Sequence, residues 1–127
     1  MSDIVNYLCS KADLIKGQPV ELAEIEKVEE MLGVRFSNEY RDILNNFGFV
    51  CVDGHEITGL TKAKRLNVYD VTLKERTNYK NVSELYVIEQ THIDGIVVWQ
   101  STTGEVYQTG LGEKKVKIAE SIKEYIK

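Results

Sequence analysis

The chain is short of cysteine, proline and long apolar runs, and each shortage removes a class of protein. Two cysteines, Cys9 and Cys51, in 127 residues do not make the disulfide framework that small secreted domains need. Cys9 has no Cys-x-x-Cys companion, which removes a redox motif. The longest clear apolar run is Ile96-Val97-Val98-Trp99, far below the ~20 residues of a membrane helix. The opening residues, 1–11, lack the basic and apolar regions of a secretory signal. The residues before Cys9 are not the small ones of a lipoprotein cleavage site. A cytoplasmic home with reduced thiols is therefore the expectation. Pro19 is the only proline, and no repeat, Pro/Ser-rich linker or charge block divides the chain. Residues 1–127 read as a single domain.

What is present is the composition of a globular protein. Hydrophobic residues at 43% and charged residues at 28% suffice for a core and exclude disorder of the whole chain. The net charge of −4 is unevenly placed. Residues 20–60 hold nine acids against Lys27, Arg35 and Arg41, a net of −6, whereas residues 61–127 hold eleven bases and nine acids, a net of +2. An acidic half argues against nucleic-acid binding, which rests on basic groups meeting phosphates. It suits a basic protein partner. Most of the five glutamates within residues 21–30 read as a solvated helix face.

Periodicity then orders the elements. Ile4, Val5, Leu8, Ala12 and Ile15 have helical spacing, closed by Gly17, and Pro19 suits the first turn of the next helix. Leu22, Ile25, Val28, Met31 and Leu32 form one stripe ending at Gly33. Ser37 is a good N-cap for a helix bearing Tyr40, Ile43, Leu44 and Phe47, with Glu39 in its first turn. After Gly48 the period changes: residues 49–52 and 55–58 flank Asp53-Gly54, a hairpin signature. Asn67 starts a helix from Val68 to about Asn78. Strand patterns follow over residues 85–91, 95–101, 105–109 and 116–118, and the near-continuous run at 96–99 suggests a central strand covered on both faces. Ile118, Ile122, Tyr125 and Ile126 suggest a last helix. The class is α+β: N-terminal helices, a mostly antiparallel sheet within residues 49–118 with a helix inserted after the first hairpin, and a C-terminal helix.

The reactive inventory is thin. Cys51, Asp53 and His55 alternate, but the Asp-Gly turn falls inside the spacing and removes the shared face that a metal site or Cys–His pair needs. Cys51 between two valines reads as a small buried hydrophobe. His92 and Asp94 read as loop residues without the third group of an acid–base site. The stretch Gly110-Leu111-Gly112-Glu113-Lys114-Lys115 lacks a third glycine and a following helix, so it reads as a turn and not a dinucleotide loop. The basic clusters 62–65 and 114–117 lack interleaved aromatics for stacking bases. No catalytic, metal or cofactor residues are expected.

The segment Leu22 to Gly48 resembles the opening of the SUKH superfamily, which is named for a fungal cell-wall-synthesis regulator and its bacterial relatives. Glu29 or Glu30, Leu32-Gly33, Phe36, Glu39-Tyr40, Ile43-Leu44 and Asn46-Phe47-Gly48 answer to its pattern in order. Glu56-Ile57-Thr58-Gly59-Leu60, Asn67 with Thr72 and Arg76, residues 85–89, residues 103–107 and residues 119–126 continue the resemblance, which covers about 20–127. Ser37 stands where the family usually has proline, and Phe49 where it has a second glycine. The resemblance implies an immunity protein, a cytosolic antidote that binds and blocks the toxic domain of a polymorphic toxin, often a nuclease, by stoichiometric occlusion. Its alternative is an intracellular scaffold or regulatory module, like the fungal member. Loops and turn tips are the usual seats of recognition, so the expected partner-binding acids are Asp53, Glu56, Asp94 and Glu105, set on one rim.

Overall fold

Side chains cap the start of four of the five helices in the computed structural model, which describes residues 2–110 and 114–127. The Ser2 hydroxyl opens α1 (Asp3–Cys9), whose Ile4, Val5 and Leu8 are buried. α2 (Leu22–Leu32) ends at Gly33 in the left-handed conformation, φ 70°, which glycine adopts without a Cβ penalty. The Ser37 hydroxyl accepts the Tyr40 N–H at 3.0 Å and starts α3 (Asn38–Phe47). Tyr40, Ile43, Leu44 and Phe47 then form its buried face. Asn67 caps α4 (Val68–Arg76), and Ser121 caps α5 (Ile122–Ile126).

Among the described residues, seven strands form two antiparallel sheets rather than one. β1 (Ile15–Lys16), β2 (Val50–Val52) and β3 (His55–Ile57) make the first, and β4 (Tyr86–Gln90), β5 (Val97–Gln100), β6 (Val106–Thr109) and β7 (Val116–Ala119) form a meander. The sheets meet where β3 passes β4. There the Thr58 N–H donates to the Ile88 carbonyl at 2.8 Å and the Thr58 hydroxyl to the Val87 carbonyl at 2.7 Å. Ile88 is an extra residue in β4, since Val87 faces Trp99 and Glu89 faces Val98. Such a bulge bends its strand and interrupts the ladder.

Several sequence expectations need correction. The first helix stops at Cys9, and Ile15 belongs to β1, where its side chain is 62% exposed. A two-residue strand is too short to show a period, so its apolar residue extended the helical stripe by coincidence. Pro19 precedes the Glu21 N-cap and lies outside α2. Leu22 and Met31 are exposed, while Ile25 and Leu32 carry the buried stripe. Ile118 lies in β7 as a second bulge and not in the last helix. The turn expected at residues 110–115 falls partly outside the described residues.

β5 is covered on both faces, as expected. Val98 joins the larger core with α1, α2, α3 and α5, while Val97 and Trp99 join a smaller cluster with Val71, Val82, Leu85 and Val87 on the α4 side. Among the described residues, no helix is long and apolar enough to cross a membrane.

Candidate functional site

The first hairpin turns on two residues with positive φ, Asp53 at 49° and Gly54 at 81°. This is the mirror-image turn whose twist suits adjoining strands. The Asp53 N–H donates to Asp13 Oδ2 at 2.8 Å, and its carboxylate meets Lys11 Nζ at 3.0 Å. The bond to Asp53, aided by Tyr7, raises the affinity of Lys11 for its proton. Glu56 stands on β3 opposite Cys51, half exposed, with Arg65 at 3.3 Å.

Asp94 lies in the exposed β4–β5 turn, where His92, Asp94 and Gly95 have φ of 59°, 51° and 70°. Among the described residues no cation pairs with it. Glu105 follows the β5–β6 turn. The Thr103 hydroxyl donates to it at 2.6 Å and Lys117 stands 3.6 Å away. Thr103 first and Lys117 second hold this carboxyl below its ordinary pKa.

These four acids do not share one rim. β5 runs from the Asp94 turn to the Glu105 turn, so an antiparallel meander puts them at opposite ends. β3 runs against β4, with Thr58 beside Val87 and Ile88 and the Glu56 N–H donating to Glu89 Oε2 at 2.8 Å. The hairpin tip therefore points toward the Asp94 end. Asp53, Glu56 and Asp94 lie toward one end of the molecule, and Glu105 toward the other.

Cys51 and His55 fall on opposite faces of the hairpin. Cys51 pairs in register with Glu56 and is only half buried, whereas His55 pairs with the buried Val52. The reading of Cys51 as a core residue is thus corrected: alternation turns it away from the face that Val50 and Val52 bury. Burial, then Glu56, raises its thiol pKa. Cys9 is exposed.

Three glutamates hold the scaffold in ways the sequence reading missed. Glu29, only 7% exposed, accepts the Phe36 N–H at 2.7 Å and pairs with Arg41 at 3.1 Å. Its place four residues after Ile25 and three before Leu32, both buried, was an available signal. Glu89, in the apolar run of β4, accepts from the Glu56 N–H and the Tyr125 hydroxyl and meets His55 Nδ1 at 2.9 Å. Glu39 accepts the N–H groups of Ile122 and Lys123. Behind it, the Tyr86 hydroxyl donates to Gln100 Oε1 at 2.7 Å and accepts the Ser37 N–H at 2.9 Å.

The arrangement defines a class: an α+β scaffold with internally partnered buried carboxylates and acids displayed on its turns. Its family is specific. A family model described as SMI1-KNR4 cell-wall, SUKH_5, matches residues 1–127, and the chain belongs to this SUKH family. The match takes in α1 and β1, beyond the residues that carried the resemblance in sequence. No curated protein matches the chain.

Proposed function

We propose that the protein is an immunity protein that binds a basic toxin domain, a nuclease in the leading case, and neutralises it in the cytoplasm by stoichiometric occlusion. Membership of the SUKH family over the whole chain is the observation that carries this reading. The acids add a physical route. Asp53, Glu56 and Asp94 would form the contact, and Glu105, at the far end, would add to the field that steers a basic partner in. Asp53 and Glu56 already hold Lys11 and Arg65. Exposed pairs of this kind contribute little to stability, so exchanging them for a partner's bases costs little.

The test is co-expression with a toxin domain encoded beside its gene. Survival of the cells and an equimolar complex in sedimentation are the expected results. Survival without a complex would defeat the occlusion mechanism, and no survival would defeat the immunity reading.

A further inference from the structure

Glu29, Glu75 and Glu89 are the buried carboxylates among the described residues, and one of them differs from the other two. Glu29 meets the Arg41 guanidinium and Glu89 meets the His55 ring and the Tyr125 hydroxyl, but among the described residues no Lys, Arg or His side chain pairs with Glu75. Its oxygens instead accept from neutral amides, Asn78 Nδ2 at 3.0 Å and Gln90 Nε2 at 2.6 Å. Glu75 is 7% exposed, and what exposure it has opens into a cleft.

That cleft, about 780 Å³, lies between α4 and the β4–β5 turn. It is an open groove, and its volume is in the range of small-ligand sites. Val71 and Val97 supply apolar wall, and the Tyr79 hydroxyl ties the turn to the end of α4 by donating to the Gly95 carbonyl at 2.9 Å. Exposed Lys64, Lys74 and His92 also line it, with the half-buried Asp70 as a second carboxylate, whereas Arg65 is turned to Glu56.

Burying a carboxylate without a counter-charge is unfavourable, and two amide donors offset only part of that cost. A cation entering the cleft would complete the site. An anion would meet Glu75, and an apolar group would strip it of remaining solvent. The lysines add a second requirement, because a bare cation must pass them.

We propose that the cleft seats a basic side chain of the partner protein on Glu75, with a carboxylate of the same segment held by Lys64 and Lys74. Only the source of that side chain, a protein partner, rests on the function proposed above. The site is distinct from the turn acids. It selects a dipolar segment, basic inside and acidic outside.

Small probes test this on the full chain without any toxin. N-acetylarginine carries both charges, N-acetylarginine methylamide only the cation, and N-acetylnorvaline only the anion. In a nuclear magnetic resonance titration, both arginine probes are expected to shift the side-chain amide signals of Asn78 and Gln90 saturably. N-acetylarginine should bind more tightly, and N-acetylnorvaline should leave these signals in place. Glu75→Gln should lose the arginine response while its spectrum stays that of a folded protein. If that variant does not fold, the comparison of three probes on the unaltered chain decides. A saturable shift of the Asn78 and Gln90 signals by N-acetylnorvaline, equal binding of the two arginine probes, no arginine binding, or an undiminished response in Glu75→Gln would each overturn the proposal. Failure of the immunity reading alone would leave probe binding unchanged.

Discussion

The carboxylate of Glu39 accepts the backbone N–H of Ile122 at 2.7 Å, and its second oxygen accepts that of Lys123 at 3.0 Å. An acid in the first turn of α3 thereby satisfies the free N–H groups at the start of α5, groups that have no partner within their own helix. Gln100 Nε2 donates to the same carboxylate at 3.1 Å. Glu39→Ala removes all three acceptor contacts and is expected to lower unfolding free energy by about 1–3 kcal/mol. Urea denaturation checks this. Glu39→Gln, which retains one acceptor oxygen, should lose less.

Gly59 is where two segments pass too closely for a side chain. A Cβ there would lie 1.8 Å from the Gly48 carbonyl oxygen and 2.7 Å from Phe49 Cβ. Gly59→Ala must displace backbone and is expected to cost more than about 2 kcal/mol. Gly54 has φ of 81° but nothing within 4 Å of its Cβ position. Gly54→Ala should therefore cost only the left-handed strain, about 1 kcal/mol. Thermal unfolding of the two variants should rank them in that order.

Tyr40 and Tyr86 are buried, and burial raises the pKa of each hydroxyl well above its ordinary value. The unfolded chain loses these protons first, from pH about 10, while the folded chain retains them. Over that interval the folded state binds more protons, so stability falls as pH rises and is unaffected below it. Each tyrosine is expected to remove up to about 1.4 kcal/mol per pH unit. Denaturation at successive pH values from 8 upward should show a plateau and then a decline. Stability unchanged well above pH about 10 would contradict the burial of these hydroxyls.

Charge reversal separates the two faces that display acids. Lysine at Asp53, Glu56 and Asp94 together is expected to slow association with the toxin domain and raise dissociation. Lysine at Glu105 alone should slow association only modestly, with dissociation unchanged. Reversing Glu21 at the N-cap of α2 together with Glu24, Glu26 and Glu30 on it, all exposed, is the comparison. Stopped-flow binding at increasing salt checks this, since exposed charges are screened and association should slow. A loss of binding confined to the α2 variant would move the contact to the helical side.

Local signals in the sequence carried most of the element order. Ser37, Asn67 and Gly33 act within one turn of themselves, and Asp53-Gly54 requires only its own backbone, so no tertiary information was needed to read them. Ile15 and Ile118 misled because short or bulged strands offer too few residues for a period to show. The division into two sheets was hidden for a similar reason: it depends on which strands pair over a distance, and β3 meets β4 through Thr58 without joining its ladder. Glu29, Glu39 and Glu89 were the deeper omission. A carboxylate that anchors the fold has the same letter as one in water, and only distant partners such as Arg41, Ile122 and Tyr125 distinguish them. The four turn acids were each placed on or beside a turn, yet their distribution between two ends follows from strand order, which local patterns do not encode.

Neutralisation by stoichiometric binding is distinguished from any other mode by titrating the activity of the proposed toxin domain with this protein. Activity is expected to fall linearly and reach zero at equimolar protein, independent of the time of preincubation. Inactivation by substoichiometric protein that deepens with time, or full activity in molar excess, would contradict it.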